Sequence, residues 1–315
     1  MKRILFSIAL IGASLTAMAQ DKKESHLFNH LDLGVTVGTT GIGIDASMPV
    51  SSIVKVRTGF EYMPRFNHDM HFDVESFNDQ GMPTASSLDR MAELLRGLTG
   101  FQVDQNVTMK GNPTMWNFKF LVDVYPFKNK HWHITAGFHW GPSRIAEAVN
   151  AIEDSPSLFA VGMYNHLYDC AYNNVPIADI ESIGEITLGD EISARLIRMG
   201  RMGIPVGKYV GTDKTYYMEP NENSMVYANA YANSFKPYLG FGYEGRLIKN
   251  NDRYKIGFDA GLMFWGGSPS IITHDGTNLS KDVEDIKGKV GTYVDLVKAF
   301  KAFPVLNLRI TRTIF

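Results

Sequence analysis

The sequence predicts an all-β fold: an antiparallel up-and-down transmembrane β-barrel of eight strands, with long, partly helical extracellular insertions. Three observations predict it. Several segments separate in steps of two into an apolar face and a polar or glycine face, the period of a strand with unlike surroundings on its two sides. Aromatic residues collect at the ends of those segments, as Tyr62, Trp116, Trp132, Trp140, Tyr243 and Tyr254 show, which suits interfacial girdles. Beyond the first 19 residues no uncharged apolar run reaches about 18 residues, so an ordinary transmembrane helix is excluded while a barrel is not. A soluble sandwich also alternates, but turns its apolar faces inward against a second sheet. The aromatic placement and the mixture of glycine with both signs of charge on the polar faces favour the barrel.

The strands follow in order. Leu31–Gly38 has apolar odd positions and Gly41–Met48 apolar even ones, so the parity flips across Thr39-Thr40. A two-residue hairpin does this, and so does a bulge in one long strand. Thr-Thr is a poor primed turn, yet the split yields an even strand number, as single-chain bacterial barrels require. Ile53–Met63, Met115–Phe127, His131–Ser143, Phe235–Leu247, Arg253–Trp265 and Phe303–Phe315 complete the eight. The competing count joins Leu31–Met48 into one bulged strand and adds Met225–Ala232. In the eight-strand scheme the short turns around Pro49–Ser52, Lys128–Lys130 and Asn250–Asp252 share one side. The insertions, about residues 65–114, 144–234 and 266–302, share the other, as expected of short periplasmic turns and long external loops. Three helices are expected there. One is capped at Ser86 and ends at Gly97, one runs from Asp190 to Gly200, and one follows Ser280 with Val283, Ile286, Val290, Val294 and Val297 on its apolar face.

The ends point to an export route. Met1-Lys2-Arg3, an apolar run to Ala17 and the small-residue site Ala17-Met18-Ala19 read as a signal peptide over residues 1–19, leaving 20–315 as the barrel domain. Phe315 closes the last strand-like segment, although Leu306, Leu308, Ile310 and Ile314 run out of phase with it, so a bulge or frayed end is expected. Cys170 is the only cysteine, so no internal disulfide forms, and it reads as a structural thiol. With 31 basic and 33 acidic residues the chain offers no electrostatic case for nucleic acid.

Several segments look familiar: Lys236-Pro-Tyr-Leu-Gly-Phe-Gly-Tyr243, the run Gly257–Pro269, Phe303-Pro-Val-Leu-Asn-Leu308, Gly38–Gly43 and Asp123-Val-Tyr-Pro-Phe127. They resemble uncharacterised outer-membrane β-barrel proteins of Bacteroidota and their shorter proteobacterial relatives. The resemblance covers the strand segments and implies an outer-membrane barrel. It implies outer-membrane lipid, lipopolysaccharide and the assembly machinery as surroundings, and brings no catalytic or binding residue with it.

The polar faces place Lys55, Arg57, Lys119, Lys236, Arg246, Lys255 and Arg309 inside, with Asp32, Asp45, Glu61, Asp123, Glu244 and Asp259 opposing them. Near-balanced charge in a small lumen predicts paired ions and a filled interior; a narrow polar pore is the alternative. His68, Asp69, His71 and Asp73 have donor types suited to zinc or copper, against the plainer reading of a solvated loop. His131, His133 and His139 are expected to line the lumen. Gly-x-Ser-x-Gly is absent, and Ser143 near His139 lacks a visible orienting acid. No cofactor and no catalytic role are expected. Three functional classes follow: a barrel presenting structured surface loops in a structural or binding role, a passive transporter of small or hydrophobic solutes, and a lipid-modifying enzyme.

Overall fold

Alternating residues become strands whose two faces meet different media, and here eight of them close on themselves. The computed structural model describes residues 30–84, 96–97, 100, 106–182, 184–249, 251–286, 291–292, 294–295, 299 and 301–314. The expected signal peptide, Phe315 and the helix expected from Ser86 to Gly97 lie outside these residues, except for helical backbone at 96–97. The barrel strands are β1 (Asp32–Gly38), β2 (Gly41–Pro49), β3 (Val54–Tyr62), β4 (Trp116–Val124), β5 (Trp132–Trp140), β6 (Phe235–Ile248), β7 (Asn251–Phe264) and β8 (Ala302–Thr313). Each pairs antiparallel with its chain neighbour, and β1 pairs with β8 to close the ring. They run from 7 residues in β1 to 14 in β6 and β7.

Of the two strand counts, the eight-strand one describes the molecule. Gly38 pairs with Gly41 across a turn at Thr39-Thr40, and Tyr227–Tyr231 lies outside the barrel. The turn is not the primed type that a threonine pair would strain to adopt. Its left-handed residue is Gly41 (φ 99°), where a Cβ would meet the Tyr62 carbonyl oxygen at 2.1 Å. Strand β8 holds the threonines in place. Thr39 donates its N–H to the Leu306 carbonyl (3.0 Å), and the Leu306 N–H reaches Thr39 Oγ1 (3.0 Å). No bulge interrupts β8 between Ala302 and Thr313, whose pairing with β7 and β1 is unbroken.

The outward residues form one exposed apolar belt. Val35, Ile44, Phe120, Ile134, Phe241 and Leu308 are among its members. Aromatic contacts ring both edges. Trp116 lies against Phe60 (centroids 5.7 Å) and Trp140 (6.5 Å) at one end, and Trp132 lies against Tyr243 (5.2 Å) and Phe258 (5.9 Å) at the other. Such a belt costs heavily in water and is at rest in hydrocarbon, which makes this a transmembrane barrel.

The three insertions meet at one end as a cap. Strands 68–73, 106–113, 144–150, 227–231 and 270–273 form a five-stranded sheet. Their lateral order repeats that of β3, β4, β5, β6 and β7, which they adjoin along the chain. Part of the barrel wall thus continues upward. A second layer covers the sheet: Arg201–Tyr209 paired with Thr215–Met218, Val283–Glu284 and Glu75–Phe77, together with helix α1 (Ser155–Asn173) and helix α2 (Asp190–Met199). Val107, Met109, Leu158, Tyr164, Ile204, Met218 and Val226 are buried in the core between the layers.

Sequence patterning missed α1. Pro156 in its first turn, buried Leu158, Val161, Tyr164 and Tyr168, and left-handed Asn174 (φ 53°) after its end are ordinary helix signals. Its docking uses Asn165, which donates to the Met202 carbonyl (2.8 Å) and accepts the Met202 N–H (2.8 Å). The helix expected after Ser280 is corrected at its start: Val283 is in a strand paired with Tyr209, while helical backbone is described at 291–292 and 294–295. Val283 is buried by that pairing, so spacing that suits a helix face serves a strand instead. α2 begins and ends where expected, but only Leu196 of its apolar residues is buried; Ile192 and Ile197 are exposed.

Candidate functional site

The inward faces bring acid and base together across the lumen. An eight-stranded barrel is just wide enough for its own side chains, so long cations from one wall reach carboxylates on the other. Arg57 Nη1 lies 2.6 Å from Asp259 Oδ2, and its Nη2 lies 3.0 Å from Asp123 Oδ1. Lys119 Nζ contacts Asp45 Oδ1 (2.6 Å) and Glu61 Oε1 (2.7 Å). Towards the short turns, Lys55 Nζ bridges Asp32 (2.8 Å) and Glu244 (3.2 Å), Lys255 adds Asp32 (3.2 Å), and Arg309 Nη2 binds Glu244 Oε2 (3.1 Å). Thr135 Oγ1 donates to Asp123 (2.7 Å) and Asn307 Nδ2 to Glu61 (3.3 Å). Gly242 gives His133 its room: a Cβ there would meet His133 Nε2 at 2.5 Å.

Lys236 is the exception. It is fully buried without a carboxylate, and its ammonium donates to Asn117 Oδ1 (3.1 Å) and the carbonyls of Ser234 (3.4 Å) and Pro142 (3.5 Å). Arg246, expected inside, is corrected: its side chain is 62% exposed and pairs with Asp252 across the β6–β7 turn. It lines the mouth of a vestibule at the short-turn end, where solvent reaches it.

Above the ions the lumen turns apolar. Met115, Leu121, Ile145, Tyr238, Met263, Trp265 and Val305 form one buried cluster at the insertion end, joined by Ala230 and Ala232 from the cap. At the opposite end a cavity of about 360 Å³, lined in part by His30, Tyr125, His131 and Lys130, runs inward as far as Lys55 and Glu244. The barrel is therefore a shallow vestibule, an ion-paired middle and an apolar seal, with the cap above.

The histidines are dispersed. His133 Nε2 lies 3.1 Å from Asp259, His139 Nδ1 lies 3.4 Å from Glu61 Oε2, and His131 Nδ1 lies 2.9 Å from the Glu244 carbonyl oxygen. Glu61 is the acid beside His139 that the sequence left unseen. Ser143 is exposed on the rim while His139 is buried, so the two do not form a nucleophile–base pair. The candidate metal ligands occupy one strand, whose alternation puts His68 on one face and Asp69, His71 and Asp73 on the other. His71 Nδ1 is 3.1 Å from Thr108 Oγ1. Among the described residues no group of three such donors is placed to hold a metal ion.

Cys170 lies in α1 at 3% exposure, with Sγ 3.6 Å from the Pro176 carbonyl oxygen and 3.7 Å from His166 Nε2. Burial, with Asp169 adding to it, raises its pKa, which keeps it a neutral and unreactive thiol.

No protein family matches the sequence, and no curated protein does. Solved structures similar to the chain include two from Acinetobacter baumannii. Acinetobacter baumannii CarO2 aligns over 91% of this chain and 99% of its own at 12% identity, with a TM-score of 0.40. Acinetobacter baumannii CarO aligns over 92% and 99% at 11% identity, with a TM-score of 0.37.

Proposed function

We propose that this chain is a bacterial outer-membrane protein whose barrel is a sealed anchor and whose cap is the working part, held at the cell surface in a binding role. The observation that carries this reading is the filled lumen. Buried ion pairs occupy its middle and an apolar cluster its insertion end. A pore needs neither an apolar seal nor a cap with a hydrophobic core of its own. The outward belt would contact outer-membrane lipid, with lipopolysaccharide around the cap, and the barrel would be inserted by the outer-membrane assembly machinery. No catalytic role is proposed: Ser143 and His139 do not meet, and the lumen carboxylates are engaged by cations.

Planar-bilayer recording tests the seal. The purified protein is expected to give no discrete conductance steps, and steady single-channel openings would make it a pore instead. Hydrolysis or acyl transfer on labelled phospholipid would make it an enzyme. Sidedness is tested in a Cys170→Ser background. Asp213→Cys, at a cap position with 93% exposure, is expected to react with an impermeant maleimide on intact cells. Asn129→Cys, in the β4–β5 turn, is expected to react only after the outer membrane is permeabilised. The reverse pattern would put the cap in the periplasm.

A further inference from the structure

The cap holds an apolar cavity of about 410 Å³ whose origin is the register of the five-stranded sheet. Opposite one another across successive strands stand His68, Gly111, Ala148 and Ala228, and in the next row Ala146 pairs with Ala230. Small side chains at facing positions hollow the sheet, and at Gly111 even a Cβ would come within 3.3 Å of Met70 Cε. Met218 and Val206 of the second layer form the opposite wall. This face continues the inner wall of the barrel, and the apolar seal beneath it separates the cavity from the lumen.

Three features specify an occupant. The lining residues come from all five strands, and at about 4.8 Å per strand the hollow is a trough about 19 Å long. Most of the interior surface is carbon and methionine sulfur. The hydroxyl of Thr273 at its end is already bonded to Tyr216 (2.9 Å), Asp275 (2.6 Å) and the Thr277 carbonyl (3.0 Å). Glu147 is held by Arg65 (3.6 Å) and Arg144 (3.3 Å), so beyond the single acceptor Asn112 Oδ1 and the rim at His68 the lining favours a hydrocarbon over a polar group. Met70, Met109 and Met218 supply soft, adaptable walls.

We propose that the cap binds a single-chain amphiphile of the fatty-acid type, its tail along the trough and its polar head at the rim near His68. This rests on the reading of the cap as a surface binding unit and names its ligand class. The test uses the full mature protein in lipid nanodiscs with a long-chain fatty acid carrying a mid-chain diazirine. Photolysis is expected to give saturable adducts on peptides containing Met70, Met109 or Met218. Unlabelled fatty acid should displace them, and a two-chain phospholipid should not. Ala148→Phe is expected to lower the saturable yield about tenfold, equivalent to losing roughly two buried methylene contacts. If protease sensitivity shows that Ala148→Phe disrupts the cap, the smaller change Ala228→Val decides, with an intermediate loss expected. Adducts confined to outward residues such as Phe120, equal displacement by phospholipid, or an undiminished yield in a folded variant would overturn the proposal. A conducting barrel with intact cap adducts would overturn the sealed-anchor reading alone. A silent, surface-labelled protein without cap adducts would overturn this one alone.

Discussion

Arg57→Ala is expected to destabilise the folded barrel by about 3–5 kcal/mol, the cost of leaving buried charges without their partner. Arg57 is 1% exposed, and its two guanidinium nitrogens hold carboxylates from β4 and β7, on different parts of the ring. Removing it leaves Asp123 and Asp259 buried without the cation they share. His133 and Arg309, at 3.1 and 3.8 Å from Asp259, compensate only in part. The measurement is the denaturant midpoint of protein refolded in lipid vesicles. Combining Arg57→Met with Asp123→Asn and Asp259→Asn should recover much of the loss, because the uncompensated charge goes with the cation. A lumen that tolerates Arg57→Ala as well as the triple variant is hydrated, and the sealed-anchor reading falls with it.

The second large effect lies on the other face of the same wall. Phe120→Arg is expected to cost about 2–4 kcal/mol, since Phe120 sits midway along its strand on the lipid side. Tyr62→Arg, in the girdle at the end of β3, is expected to cost about 0–1 kcal/mol. Depth dependence is the diagnostic quantity. A soluble sandwich would penalise a charge according to packing alone, whereas a bilayer grades the penalty by distance from the midplane. Equal costs at Phe120 and Tyr62 in vesicle refolding would remove the membrane from the explanation.

The barrel was legible because alternation is local: each strand declares its two faces within ten residues, and Val35, Ile44, Phe120 and Leu308 all point outward as their parity requires. The partners of the inward charges were not legible. Arg57 and Asp259 are 202 residues apart, and only closure of the ring decides that they meet. Thr39-Thr40 looked unfavourable because turn preference is a local property, while the bonds that hold this turn come from β8. The cap was hardest to read. Its strands are short, their apolar positions face a second layer rather than lipid, and Val283 at helical spacing is buried by a strand pairing. The cluster His68, Asp69, His71 and Asp73 was compact in sequence and divided in space for the same reason: a strand sends alternate residues to opposite sides.

One small irregularity has a consequence for how such a molecule can be altered. Between β5 and the cap strand that continues it, Ile145 is an extra residue: Tyr231 pairs with Arg144 and Ala230 with Ala146, leaving Ile145 unmatched. It moves the inward face from odd positions in the barrel, such as His133 and His139, to even ones above it, Ala146 and Ala148. This cap strand is thus written in a reading frame set by the barrel, with Ile145 as the shift of frame at the join. Deleting that residue would leave Ala146 and Ala148 facing inward in unbroken alternation and would remove the local bend and extra twist that it gives the strand. A cap grafted from this chain onto another barrel would need the same phase at the join. Exchange of caps between barrels is accordingly a matter of parity first and of sequence second.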